Sequence, residues 1–252
     1  MNLNDRQSSI LELLAAHKSL SVAAISELMF FSASTIRRDL DILAQENLIR
    51  RTHGGAAIIV DRNAEIPLSI RAGDNRTSKE AIGRVAAGFI QNGDSLFLDS
   101  STTVLGMIPY LSAKKDLTII TNGLKTSNEL AQFHCFKTIC TGGFLRENSM
   151  SFIGKHTRKV LSEYNVDKLF FSARAISPIH GVSDINDDEA ELRKIMIDHS
   201  GHTFILMDSS KLDKLSLCCI CGIDSIDVMI TDSPFNASEE WKSVGCNIIE
   251  TG

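Results

Sequence analysis

Four short segments gather the groups that a bound oxyanion needs. Asp99-Ser100-Ser101-Thr102-Thr103, Thr121-Asn122-Gly123, Thr141-Gly142-Gly143 and Asp208-Ser209-Ser210-Lys211 each close an apolar run. Small hydroxyls at a helix start offer side-chain and backbone donors along the positive end of the helix dipole, which suits a phosphate. Paired glycines let backbone amides approach a ligand. Lys211 adds a mobile positive charge. Singly, each segment also reads as ordinary helix capping; four together favour anion binding.

A second constellation lies near the N-terminus. Ser32–Leu40 reads SASTIRRDL, and Arg50–Ala56 reads RRTHGGA. Ser32 is a good helix N-cap, and Ile36, Leu40 and Leu43 form one apolar stripe. Ser34, Thr35, Arg37 and Arg38 project from the other side. Hydroxyls there can bond phosphates or base edges, and an arginine can bind guanine through two parallel hydrogen bonds. Arg50, Arg51 and His53 fall on a strand and basic turn that could serve as a wing. The spacing thus predicts a winged helix-turn-helix, with a small helical bundle carrying a solvated arginine pair as the plainer alternative.

The elements that must position these groups follow from periodicity. Helices are expected at Gln7–Ala16, at Val22–Met29 with Ser21 as cap, and from Ser32 onward to Asn47, which can take a helix-ending conformation. A strand is expected at Leu48–Thr52. After a polar connector at 60–76, a helix runs from Thr77 to Ile90. Apolar strands at Ser95–Leu98, Leu117–Ile120, Lys137–Cys140, Lys168–Phe171, Thr203–Met207, Val228–Ile230 and Cys246–Ile249 alternate with helices at Leu124–Gln132, Lys155–Tyr164, Asp188–Ser200 and Ser238–Val244. Such alternation predicts an α/β domain with a largely parallel sheet, whose ligands bind beyond the carboxyl ends of the strands. The expected organisation is therefore a DNA-binding domain over 1–59, a linker over 60–76 and a larger Rossmann-like domain over 77–252.

Composition is compatible with this. The 26 Lys/Arg against 31 Asp/Glu give a net charge of −5, which argues against a nonspecific polyanion binder. Met1–Gly55 holds six basic and six acidic residues, yet four of the basic ones are Arg37, Arg38, Arg50 and Arg51. Their placement, rather than the sum, carries the signal. The polar N-terminus and the lack of a long apolar stretch suggest a cytoplasmic protein with reduced thiols. Cys218, Cys219 and Cys221 lack paired zinc-site spacing and are read as small hydrophobes in a buried strand. No metal or cofactor site is expected.

The motifs resemble those of the DeoR family of bacterial transcriptional regulators. TIRRDL followed by R-x-HGGA is that family's recognition helix and wing, and both occur intact. The resemblance continues from Lys79 to Asp232, with D-x-x-T-T at Asp99–Thr103, T-N at Thr121–Asn122, G-G at Gly142–Gly143 and D-S-S-K at Asp208–Lys211. It implies a sensor domain with the fold of ribose-5-phosphate isomerase, a phosphorylated sugar as effector, and repression of a carbohydrate operon through operator DNA. A single wing-helix module rarely reaches operator-grade affinity, so a homo-oligomer, dimer or tetramer, is expected. Three departures stand out. Phe30 and Phe31 replace the family's usual glycine and valine in the helix-turn-helix turn; Phe31 is expected in the core and Phe30 in a strained turn. Phe171-Ser172-Ala173-Arg174 departs from the usual glycine-rich or acidic continuation. Arg174 is a candidate effector contact, or else pairs with Asp184 or Glu189. Two other functions stay open: an isomerase-like enzyme, using a base from Asp184, Asp187, Asp188, Glu189 or Glu191 with Lys211 as cation, and a DNA-binding protein without effector.

Overall fold

A computed structural model describes residues 5–45, 48–58, 66–232 and 239–251. Asn47, most of the connector's first half and Ser238 lie outside these residues. The chain forms two compact units, Met1–Asp74 and Asn75–Gly252.

In the first unit, α1 (Asp5–His17), β1 (Ser19–Ser21), α2 (Val22–Met29) and α3 (Ala33–Gln45) precede β2 (Ile49–Thr52) and β3 (Gly55–Ile58). Ile10, Leu11, Leu14, Ile25, Ile36, Leu40, Leu43 and Ile49 are buried together, the single core expected from the helical spacing. Ser21 caps α2 by accepting from the Ala24 amide at 3.1 Å. The short β1 escaped the sequence reading because Ser19–Ser21 has no alternating apolar pattern. It pairs antiparallel with β3, giving a three-stranded sheet in the order β1-β3-β2. The connector, read as polar linker over 60–76, contains α4 (Leu68–Gly73), whose Ile70 is buried in the first core. Tertiary packing of Leu68 and Ile70 overrides the polar composition around them.

The second unit opens with α5 (Arg76–Ala87). In chain order follow β4 (Ser95–Leu98), α6 (Thr102–Leu105), β5 (Thr118–Thr121), α7 (Leu124–Leu130), β6 (Lys137–Cys140), β7 (Phe144–Arg146), β8 (Ser151–Ile153), α8 (Lys155–Ser162) and β9 (Val166–Phe171). Then come β10 (Ala175–Ser177), β11 (Gly181–Asp184), α9 (Asp187–Asp198), β12 (Ser200–Met207), β13 (Cys218–Cys221), β14 (Val228–Asp232), α10 (Glu239–Lys242) and β15 (Asn247–Thr251). Seven strands form one sheet in the order β15-β14-β12-β9-β4-β5-β6, and every pairing in it is parallel.

Alternate strand residues feed two cores, as period-two geometry requires. Phe97, Leu169, Phe171, Ile205 and Met229 pack with Leu161, Leu192, Met196 and Trp241 on one face. Leu96, Leu98, Phe170, Leu206 and Ile230 pack with Ile82, Ala86 and Met107 on the other. From β4 the chain builds outward through β5 and β6, then returns to β9 and continues the other way. The order therefore reverses between β4 and β9, the crevice where open α/β sheets bind ligands.

One expectation is corrected. Leu217–Ile223 is not a buried strand: β13 is an edge strand paired with β11, Leu217 is 78% exposed, and within β13 only Ile220 is buried. Burial, then the neighbouring Cys219 and Asp224, nevertheless push the Cys221 thiol up to about 12, so it stays protonated at neutral pH. The hairpin β7–β8 and strands β10 and β11 went unread.

Gly83 lets α5 approach α6 at backbone distance: a Cβ there would lie 2.6 Å from Gly106 carbonyl atoms. Gly83→Ala is predicted to destabilise this unit by about 1–3 kcal/mol, the usual cost of overpacking. Gly245→Ala, with nothing within 4 Å, should be neutral. Denaturant titration followed by the single tryptophan, Trp241, checks both.

Candidate functional site

Two sites emerge, one in each unit. In the first, Ser32 caps α3: its hydroxyl accepts from the Thr35 amide at 3.2 Å and lies 2.9 Å from Ser34 Oγ and 2.8 Å from Thr35 Oγ1. Ser32, Ser34, Arg37 and Arg38 are exposed, and Thr35 is half-buried, while Ile36 and Leu40 face the core. The wing places Arg50, Arg51 and His53 in solvent. Arg51 reaches Asp41 of α3 at 3.2 Å, an exposed pair worth little energy but one that aligns wing and helix.

Asp39, the acidic residue of TIRRDL, is 2% exposed. It accepts from Arg6 Nε at 2.5 Å, from Arg6 Nη2 at 3.1 Å and from Gln7 at 3.5 Å, fastening α3 to α1. Sequence reasoning missed this role because the partner lies on another helix. Phe31 is corrected as well: it is 41% exposed, with the Arg6 guanidinium 5.1 Å from its ring centroid, rather than in the core.

In the second unit the register places the four predicted segments side by side. Leu98 pairs with Thr121 and with Phe170, and Thr121 with Cys140, so the residues that follow each strand emerge on one rim. Ser101 caps α6, accepting from the Val104 amide at 3.3 Å. Ser100, Ser101, Thr102, Thr103, Thr121 and Asn122 are all buried. Gly142 and Gly143 have φ of +60° and +124°, a backbone path that side chains resist. Lys211 Nζ lies 2.8 Å from Ser172 Oγ, 3.4 Å from Thr103 Oγ1 and 3.5 Å from Asp208. The lysine of the fourth segment thus reaches the hydroxyl loop of the first across β9, at the switch point. Asp208 would be pushed up by burial, but Lys211, the Ser210 hydroxyl, Lys79 and Asn75 outweigh this and hold its carboxyl below the usual range.

Asp99 occupies a supporting position. It is 1% exposed, and its oxygens accept from the Ser101 amide at 2.9 Å, the Ser172 amide at 3.2 Å and Arg193 Nε at 3.1 Å. Arg193, buried in α9, also donates to Asp184 at 2.9 Å and lies 3.7 Å from Glu189. Burial opposes its charge, yet Asp184, Asp99 and Glu189 hold its pKa above the ordinary arginine value. Glu189 in turn accepts from Ser151 at 2.8 Å. Arg193 therefore takes the partners expected for Arg174, which makes no ion pair among the described residues. The Glu189–Arg193 spacing of four was the available signal. A cleft at this place is lined by Asp99, Ser100, Asn122, Glu189, Leu192, Arg193 and Met196.

Among the described residues, the buried side-chain atoms without a hydrogen-bond partner are Asn122 Oδ1, Thr141 Oγ1 and Thr231 Oγ1. All three stand at the carboxyl ends of strands in the large sheet. Buried polar atoms are nearly always satisfied, so unpaired ones on one rim mark a place built to bond something else.

A basic recognition helix and wing, with a doubly wound α/β unit whose polar groups converge at its switch point, define a ligand-responsive transcriptional regulator. The chain belongs to the DeoR family. Its residues 74–233 match the DeoR C terminal sensor domain, and residues 6–62 match the DeoR-like helix-turn-helix domain. It is similar to the transcriptional repressor AccR of Agrobacterium fabrum, 36% identical over 233 residues, covering 91% of this chain and 89% of that protein. The glycerol-3-phosphate regulon repressor of Escherichia coli is 31% identical over 234 residues, covering 93% and 92%. Among solved structures, a D-ribose-5-phosphate isomerase in complex with phospho-erythronic acid aligns over 54% of each chain at 14% identity. Its TM-score of 0.41 is too loose to bear on function.

For the recognition helix, Arg38→Ala is predicted to cost about 1–3 kcal/mol of operator affinity and to relax sequence preference if the guanidinium reads a base. Binding to duplexes selected by the wild-type chain from a random library measures both. Unchanged affinity and unchanged preference would place Arg38 away from DNA.

Proposed function

We propose that this regulator binds operator DNA as a cytoplasmic homo-oligomer and represses a carbohydrate operon, with a phosphorylated sugar as effector. The observation that carries the effector reading is the convergence of Lys211, Thr103 and Ser172 within 3.4 Å contacts at the switch point. An ammonium and two hydroxyls on a rim of helix starts suit a phosphate. Asn122 Oδ1 and Thr141 Oγ1, both unpaired and buried, are available to sugar hydroxyls. The name of the glycerol-3-phosphate regulon repressor, a relative, agrees with a phosphorylated effector.

The carboxylates speak against an isomerase. General-base catalysis needs a carboxylate free to take a proton from substrate. Asp184 and Glu189 are engaged by Arg193, and Asp188 and Glu191 pair with Arg158 at 3.5 and 2.5 Å, while Asp187, exposed in the first turn of α9, accepts from the Asp188 amide at 3.0 Å. A regulator without effector is disfavoured by the buried unpaired acceptors.

Occupancy has a route toward the connector. Asn75, the first residue of the second unit, donates to Asp208 Oδ1 at 3.0 Å and to Ser210 at 3.3 Å. A phosphate that draws Lys211 away from Asp208 would alter this tie.

Lys211→Ala is predicted to weaken a phosphorylated sugar by about tenfold or more, a charge-assisted bond being worth about 1.5–3 kcal/mol, while leaving ligand-free operator binding intact. Calorimetry across sugar phosphates and their unphosphorylated parents checks this. Equal affinity for phosphorylated and plain sugars would remove the phosphate assignment.

A further inference from the structure

Phe30 is 93% exposed and ends α2 in the left-handed conformation, with φ of 57° and ψ of 33°. Both features are unfavourable for a phenylalanine: the side chain is strained against its own backbone, and its ring stays in water. The fold gains nothing from it. The residues partly buried against the first core include Met29 but not Phe30.

The backbone that carries the ring is nevertheless held by its neighbours. The next residue is fixed on two sides, by the Ser26 hydroxyl donating to the Phe31 carbonyl and by Arg6 over the Phe31 ring. Two residues on, Ser32 begins the hydroxyl network that caps α3. Phe30 thus stands between the helix that crosses the DNA backbone in such motifs and the first turn of the helix that enters the groove. It lies two residues before Ser32, and Ser32, Ser34, Arg37 and Arg38 are exposed as it is.

We propose that Phe30 is a DNA-contacting residue, its ring lying against the apolar surface of the duplex at the edge of the recognition helix. Two groups of DNA offer that surface, the C5-methyl of thymine and the deoxyribose face. A phenyl ring releases no counterion, so the contact adds to affinity without adding to its salt dependence. Strain of this kind persists where a site uses it. The proposal rests on α3 being the recognition helix, and the experiment separates the two claims.

The test uses the full chain and a duplex selected by it from a random library. Phe30→Gly fits the left-handed backbone and removes the ring, and Phe30→Asn, which tolerates that backbone, serves as the second variant. Both are expected to fold with unchanged or higher Tm and to bind the duplex about 5- to 20-fold more weakly, with the salt slope unchanged. Replacing thymine by uracil position by position assigns the surface. A methyl contact appears as one position where the wild type loses affinity and Phe30→Gly does not; a deoxyribose contact leaves the two chains equally insensitive. Wild-type affinity in both variants, with Arg38→Ala weakened in parallel, would overturn this inference alone. If Arg38→Ala also binds as the wild type does, the recognition-helix reading fails with it. A weaker duplex complex accompanied by a smaller sedimenting species would also overturn the inference, because the ring would then be covering a second copy of the chain.

Discussion

The buried Arg193 is the constraint on which the sensor site depends. One guanidinium holds Asp99 from the β4 loop, Asp184 at the end of β11 and Glu189 one turn earlier on its own helix. Asp99 then holds the amides of Ser101 and Ser172, the two sides of the switch point. Removing one partner of a buried, paired charge is costly, about 3–5 kcal/mol, because the others lose their compensation. The hydroxyls of Ser101, Thr102 and Thr103 are therefore presented from a loop fixed by charge, and Lys211 approaches a rim that is already ordered. Asp39 has the same function in the DNA-binding unit, where its link to Arg6 sets the recognition helix on α1.

What a linear sequence can show is decided by the range of the interactions involved. Strands β4 and β6 match the expected spans, and the recognition helix and wing are found where local capping and spacing put them. These elements are determined by neighbours in sequence. The rim was legible too, since a parallel sheet aligns the ends of its strands. The support beneath it was not: Arg193 and Asp99 are separated by 94 positions, and Arg6 and Asp39 by 33. No local pattern joins such residues. Phe31 was misplaced for a similar reason, as its partner Arg6 comes from α1. The helix Leu68–Gly73 was hidden because its stability comes from burying Leu68 and Ile70 rather than from its composition.

The family relationship and the geometry divide the work of explanation. Matching domains establish a transcriptional regulator with a sensor. The structure adds which residues converge, where buried acceptors remain unpaired, and how Asn75 joins the Asp208–Lys211 turn to the start of the second unit. Phe30 adds a departure from the family pattern, an exposed ring between α2 and α3.

The central claim is that occupancy of the switch-point rim changes the hold on DNA. It is tested most directly by operator affinity of the full chain with and without a saturating sugar phosphate chosen by calorimetry. A coupling of about 1–3 kcal/mol predicts a change of about 5- to 150-fold, and linkage requires the operator to change ligand affinity by the same factor. Equal operator affinity in the presence and absence of a ligand shown to be bound would contradict the account.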